Sequence, residues 1–330
     1  MMRRVWESVG QAIVAATLVL AMSGAALAQI GQPVDGQLGF QGAATPVMEE
    51  ISLFHDRVNV IIIAITIFVL LLLAWVILRY NERANPTPSK FSHNTFLEVA
   101  WSVVPILILV YIGIFSFKLL YLQYTYPKPD LTIKATGNAW FWEHSYPDQG
   151  GFTVTSNMVR DQDVLTAEMG EEAFDKKYGA LEGTEFLRAV YTDAKPLYAK
   201  QGLVRQLSVD NEIAVPVNKV VHMLVTSADV IHSWTIPSFG SKTQAVPGRL
   251  TATWFKPTRV GVYHGQCSVL CGQDHSSMPI VIRVVEQEAF DRWVAAVKSR
   301  DWKKAKSILQ AATASADGKK VARAESNVKR

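Results

Sequence analysis

The 330-residue sequence predicts a membrane-anchored chain of α+β class: a two-helix transmembrane hairpin followed by an all-β domain, a sandwich or Greek-key barrel. Three observations predict it. Two long apolar runs sit close together near the N-terminus, short β-rich runs follow, and turn residues divide those runs at near-regular spacing. A hydrophobic fraction of 49% with 19% charged residues is too apolar for disorder and too mixed for a chain that only spans membrane. Two cysteines exclude a disulfide-rich scaffold and a C-x-x-C-H haem attachment. The formal charge of +4 singles out no partner, and nucleic acid is not among those expected.

The first element, residues 1–28, reads as a cleavable secretory signal. Arg3 and Arg4 precede an apolar run over Ile13–Met22, which ends in Ala26-Leu27-Ala28. A first transmembrane helix is the rival, but the run falls short of the roughly 20 residues a bilayer core requires. Residues 29–126 carry the anchor. Val58–Leu78 holds no charge over 21 residues, roughly 31 Å of helix, and a second run spans about Val99–Leu120, interrupted by Pro105 and Lys118. Arg79, Arg83 and Lys90 in the connecting loop place it in the cytoplasm, with both chain ends outside. Glu98 starts the second span, ahead of Trp101 and an S-V-V-P turn. It is either an interfacial carboxylate or the mouth of a proton path, since carboxylates near a bilayer core are rare unless they serve one.

Residues 127–286 form the outer domain. Strands are expected at Leu131–Ala135, Ala139–His144, Leu203–Val209, Val220–Ser227, Arg249–Phe255, Gly261–His264 and Pro279–Val285. Between about 147 and 204 lies an insertion-like stretch with ten carboxylates against six basic residues, read as a charged loop. Residues 287–330 begin as an amphipathic helix with Phe290, Trp293, Val294 and Val297 at helical spacing, then become Lys/Ala/Ser-rich and loose, with a net +6 overall. That tail is a solvated segment or one that meets anionic headgroups.

The metal-ligating chemistry lies before the last strand. Cys267, Cys271, His275 and Met278 form C-x3-C-x3-H-x2-M, and His232 lies upstream in I-H-S-W-T-I-P. Thiolate, imidazole and thioether suit soft, redox-active copper. A Cys267–Cys271 disulfide would leave the neighbouring His and Met unexplained. Zinc would not want Met, and a blue-copper site needs one Cys rather than two. Two thiolates shared by two coppers use every ligand.

These residues carry a resemblance. The strings G-Q-C-S-V-L-C-G-Q-D-H-S-S-M-P-I and D-V-I-H-S-W-T-I-P-S-F-G-S-K-T-Q-A-V-P-G-R-L resemble the cytochrome c oxidase subunit 2 family, and the hairpin, signal and strand pattern extend the match over most of residues 45–295. The resemblance implies a cupredoxin-like barrel with a dinuclear copper centre, CuA. That centre would take electrons from cytochrome c and pass them to haem a of subunit 1, where oxygen is reduced to water with proton translocation. Subunit 3 is a further implied partner. The implied setting is a bacterial inner membrane, N-out and C-out, with the CuA domain in the periplasm. Carried over by position, Cys267 and Cys271 would bridge the coppers, His232 and His275 would each bind one, Met278 would be axial, and Val269 would offer its backbone carbonyl.

Trp140-Phe141-Trp142 is similar to the family's W-Y-W run, with Trp140 the indole through which electrons enter and Trp142 a core residue. Glu98 aligns with a carboxylate near a proton channel of subunit 1. Asp148, Asp210 and Asp229 match acidic positions that would steer a basic cytochrome, while Ser145 and Ala228 lack the usual carboxylate. The charged insertion either replaces that acidity or is a solvated loop.

Val269 stands where the family reads Glu, and Gln244 where it often reads Asp. A Mg²⁺ or Mn²⁺ at the subunit 1 interface would lose oxygen donors, so that site is expected to be weakened or absent. A quinol oxidase subunit 2 would lack the copper ligands. A tethered copper carrier or assembly factor would expose an exchangeable site. The CuA domain of a nitrous oxide reductase has no place for the hairpin.

Overall fold

The computed structural model describes residues 31–314 except residue 88. The expected signal at 1–28 and the last part of the tail, 315–330, lie outside the described residues.

Helix α1, Pro46–Arg79, opens where the Thr45 hydroxyl accepts the Met48 amide at 3.1 Å and Pro46 occupies the first turn. Its uncharged stretch is the expected span, preceded by three polar turns. Helix α2, Thr95–Tyr124, is capped by Asn94, which accepts from Leu97. Ser102–Pro105, expected as a turn, lies inside α2: a proline removes one backbone donor, and an apolar medium offers that segment no alternative to staying helical. Lys118 near the end of α2 meets Glu50 near the start of α1 at 3.4 Å, and the Arg57 guanidinium lies 4.3 Å from the Phe115 ring centroid, so the two helices run antiparallel.

Both outer helix ends are bonded to the β domain. Thr45 donates to the Phe239 carbonyl (2.7 Å) ahead of α1. Beyond α2, Tyr126 donates to Ala252 (2.7 Å), and Trp254 donates to Gln123 (3.0 Å). The barrel is therefore seated on the hairpin.

The domain is a two-sheet β structure. Strands β1 (Leu131–Asn138), β2 (Phe141–Tyr146), β3 (Phe152–Ser156), β5 (Val221–Ser227) and β8 (Thr251–Phe255) make one sheet in the order β3-β2-β1-β5-β8, with β1 and β5 parallel. Strands β4 (Ile213–Pro216), β10 (Pro279–Val285) and β9 (Gly261–Gln266) make the second, and β6 (His232–Ile236) with β7 (Ser241–Ala245) forms a ribbon. Along β1, β2 and β5 every second residue is buried, as a half-covered sheet requires, whereas β4 is buried throughout. Trp142, Trp234, Tyr146, Phe239, Phe255 and Tyr263 fill the space between the sheets.

Three expectations are corrected. Leu203–Ser208 is a stack of turns rather than a strand: Leu207 and Ser208 donate to the Val204 carbonyl, the Ser208 hydroxyl accepts from Val204, and Gln206 sits at φ 63, while Val209 makes an isolated antiparallel bridge to Met158. The insertion is not a loop. Helices α3 (Asp161–Met169), α4 (Glu171–Tyr178) and α5 (Gly183–Lys200) enclose a second core of Val164, Leu165, Tyr178, Val190, Ala194 and Tyr198. Finally, α6 (Gln287–Lys298) buries Phe290, Trp293, Val294 and Val297, but the chain after it is not loose at once. Residues 302–314 form another helical stretch that buries Ala305, Leu309 and Thr313, and Arg283 from β10 ties it down by pairing with Glu212 and donating to Thr313.

Candidate metal centre

The twelve residues 267–278 form the loop joining antiparallel β9 and β10, whose last ladder pair is Gln266 and Pro279. That register sets Cys267 and Met278 at the two feet of one hairpin. Cys271 lies near the loop's middle and His275 in a short 3₁₀ turn, His275–Ser277. His232 begins β6, and Ser268 donates its amide to Ser233 (3.1 Å), binding the loop to that strand.

Five side chains and one carbonyl converge. The Cys267 and Cys271 sulfurs are 3.8 Å apart as free thiols. His232 Nδ1 lies 4.0 Å and the Val269 carbonyl 3.3 Å from the Cys267 sulfur. His275 Nδ1 lies 3.5 Å and the Met278 sulfur 3.6 Å from the Cys271 sulfur. Ligand atoms of His232, Cys267 and Cys271 fall within 4.8 Å of one another, and His232 and Met278 are fully buried. A soft, sulfur-rich donor set with its nitrogen lone pairs turned inward fits copper, and the two separate sulfurs leave both thiols free to bind it.

Electrostatics favour this use. Burial pushes the Cys267 thiol up, but hydrogen bonds with His232 and the backbone of Ser233 and Val269 outweigh that and bring it below the usual thiol range. Burial and then the neighbouring Cys267 charge hold the Cys271 thiol above that range. One proton thus leaves the pair readily, and the second is held until a cation arrives. For His232, burial alone would lower the pKa, but Cys267 and Asp229 carry it above its ordinary value.

Two indoles brace the loop. Trp140 Nε1 donates to the Cys271 carbonyl at 3.2 Å, and Trp142 Nε1 donates to the Met278 carbonyl at 3.1 Å. Trp140 is partly exposed and Trp142 fully buried, with its ring edge-on to His232 at 5.9 Å. Close approach here needs glycine at two places: a Cβ on Gly137 would lie 2.7 Å from the His232 ring, and one on Gly272, at φ +124, would lie 3.0 Å from the Trp140 indole.

Other candidates lie elsewhere. Glu98 is in the first turn of α2, separated from the barrel by roughly 40 Å of helix. Asp148 accepts the Thr132 amide (2.7 Å), and Asp210 accepts the Asn157 amide (2.8 Å), both on the surface. Asp229 is at the site itself: one oxygen accepts from His232 Nε2 at 2.9 Å and the other accepts the Ala139 amide at 2.6 Å. Sequence reasoning valued Asp229 for charge alone, although a carboxylate three residues before a ligand histidine is a signal in its own right. It missed Arg160 as well, whose guanidinium reaches Asp274, next to His275, at 3.6 Å.

A family model for the transmembrane domain of cytochrome c oxidase subunit II matches residues 33–119, and a model for that subunit's periplasmic domain matches residues 178–285. Cytochrome c oxidase subunit 2 of Cereibacter sphaeroides is 40% identical over 301 residues, covering 89% of this chain and 92% of the relative. The chain belongs to the cytochrome c oxidase subunit 2 family. A probable cytochrome c oxidase subunit 2 of Rickettsia bellii is 42% identical over 264 residues, covering 80% of this chain and 85% of its own. The crystal structure of the periplasmic domain of subunit II of cytochrome oxidase from Bradyrhizobium japonicum is 43% identical, with a TM-score of 0.40, and covers 53% of this chain and 99% of that one. Family membership bears out the resemblance read from the ligand motif. It makes the chain a subunit of an oxidoreductase complex, a membrane protein with a cupredoxin-like periplasmic domain.

Proposed function

We propose that this chain is the electron-accepting subunit of a respiratory cytochrome c oxidase in a bacterial inner membrane. It would take electrons from cytochrome c and deliver them to haem a of subunit 1, within a complex that also holds subunit 3. The observation that carries this reading is the convergence of two thiols, two imidazoles, a thioether and a carbonyl in one buried site. Cys267, Cys271, His232, His275, Met278 and the Val269 carbonyl would hold a copper pair, which would supply a one-electron acceptor.

The chain's own residues do the rest. Cys267 and Cys271 give up their protons and hold their sulfurs side by side. His232 and His275 offer Nδ1 from opposite ends of the cluster, and Met278 closes it from the core side. The indole bonds to Cys271 and Met278 hold the loop through the protein's own contacts, so little of it would have to move when charge changes. Trp140, half exposed and bonded directly to the ligand loop, is the residue at which a docked donor's electron would enter. Asp210 adds negative charge near the Trp140 end of the sheet, on the surface that a basic donor approaches, whereas Asp148, bonded to Thr132 at the opposite end of β1, lies away from it. Glu98 would serve proton uptake at the opposite face of the membrane.

Single-turnover oxidation of reduced cytochrome c by the purified complex tests the assignment. Trp140→Phe should slow electron transfer by at least tenfold and leave the copper signal intact, and an unchanged rate would remove Trp140 from the path.

The Mg²⁺ or Mn²⁺ of the subunit interface does not fit these residues. Val269 offers a carbonyl already 3.3 Å from the Cys267 sulfur, and the exposed Gln244 has no carboxylate. Metal analysis of the complex should find that ion substoichiometric, and one equivalent held through purification would refute this.

A further inference from the structure

We infer that Asp229 is a positioning residue that joins the electron-accepting indole to a copper ligand through one carboxylate. The inference rests on the copper reading of the site.

An ionised carboxylate only accepts hydrogen bonds. Oδ1 of Asp229 stands 2.9 Å from His232 Nε2, so the imidazole carries its proton on Nε2 and turns the Nδ1 lone pair toward Cys267. A carboxylate on the far nitrogen of a metal-binding histidine fixes the ring and makes it a stronger donor. Oδ2 of the same group accepts the Ala139 amide at 2.6 Å, one residue before Trp140, whose indole is bonded to Cys271.

Neighbouring bonds lock this arrangement. The Ala228 amide donates to Gly137 (3.0 Å), and Oδ1 also accepts the Val230 amide (2.6 Å). Gly137 in turn leaves no room for a side chain against the His232 ring. The β1–β2 turn that carries Trp140 and the 227–232 segment that carries His232 therefore share one anchor. A residue kept only to attract a donor would point both oxygens into solvent. Asp229 spends both on the site.

Removing the charge while keeping the shape should weaken the His232 donor and favour the reduced centre. In the assembled complex, Asp229→Asn is expected to move the copper midpoint potential in the positive direction, to change the histidine hyperfine couplings in EPR, and to weaken copper retention about tenfold. A tenfold change in the redox equilibrium corresponds to about 59 mV for one electron. Asp130→Asn is the control: that carboxylate also accepts a backbone amide, from Val220 at 2.8 Å, but at the other end of β1, and it should leave potential and couplings unchanged.

A second measurement needs no variant. In the wild-type complex moved into D₂O, pulsed EPR should find one remote imidazole proton, that of His232, exchanging slowly, and the other, on half-exposed His275, exchanging at once. An unchanged potential with a raised KM for the donor would overturn the inference and return Asp229 to donor docking, as would two rapidly exchanging protons. A wild-type complex without a two-copper signal would instead overturn the copper reading on which it rests.

Discussion

The barrel and the helical insertion have separate hydrophobic cores, and they are built in opposite ways. In the barrel, partners are distant in sequence: β1 pairs in parallel with β5, ninety residues on, and the metal cluster joins residues 232 and 267–278 under indoles from 140 and 142. In the insertion, Val164, Leu165, Tyr178, Val190, Ala194 and Tyr198 meet within a single stretch of chain. It meets the ligand loop at an exposed ion pair, Arg160 with Asp274. A site that must keep its geometry is thus held by long-range bonds, and the element able to vary around it is self-contained. Perturbing one region should therefore leave the other largely intact.

The largest effect should come from the ligands. Cys267→Ser or Cys271→Ser removes one of the two thiols of the cluster and is expected to abolish the two-copper EPR signal completely, while hydrogen exchange in the insertion stays as in the wild type. Loss of protection in α3–α5 would show the two regions to be one folding unit.

Acid should separate them next. Burial pushes the barrel's His144 down to about 3, whereas an unfolded histidine titrates near 6.5, and residues 161–200 contain no histidine. Between those values the unfolded chain binds the extra proton. The His144 contribution to barrel stability is therefore full above pH 6.5 and falls as pH drops, by up to about 1.4 kcal/mol per unit and on the order of 5 kcal/mol in all. In the insertion, hydrogen bonds from Lys177 and Tyr178 hold the Asp193 carboxyl below its usual range, so its contribution is lost only as pH falls below about 3.8. Tryptophan fluorescence is blind to the insertion, because residues 161–200 contain no tryptophan, whereas Trp140, Trp142, Trp234 and Trp254 lie in the barrel. Thermal unfolding at pH 7 and pH 5 should shift fluorescence more than insertion hydrogen exchange, and equal shifts would contradict the comparison.

Much of the site was legible because its chemistry is local: four ligands fall within twelve residues, and no bland role uses two thiols, an imidazole and a thioether together. Strands with clean alternation, such as β1 and β5, could be read as well. The insertion was not, since its abundant charge hid the Phe186, Val190, Ala194 and Tyr198 periodicity that builds a helical face. The helix over 302–314 was hidden in the same way, by its lysines. The β6–β7 ribbon and the double duty of Asp229 depend on pairings that no local pattern records.

Leu165→Ala sharpens the contrast from the other side. It should cost the insertion about 2–5 kcal/mol, read by hydrogen exchange, and leave the copper signal unchanged. Neutralising the exposed Glu171, Glu172 and Glu182 to Gln should slow association of a basic cytochrome c several-fold at low salt and hardly at all at high salt. An identical on-rate would make the insertion's charge a matter of solubility. Smallest of all, Arg160→Ala should change stability by less than about 1 kcal/mol, since that pair is exposed, and should leave the copper signal as it is.

The EPR spectrum of the copper-loaded chain tests the central claim most directly. One unpaired electron shared between two coppers, seen as a seven-line hyperfine pattern, is the predicted result. A four-line pattern from a single copper, or a site that takes up no copper, would contradict it.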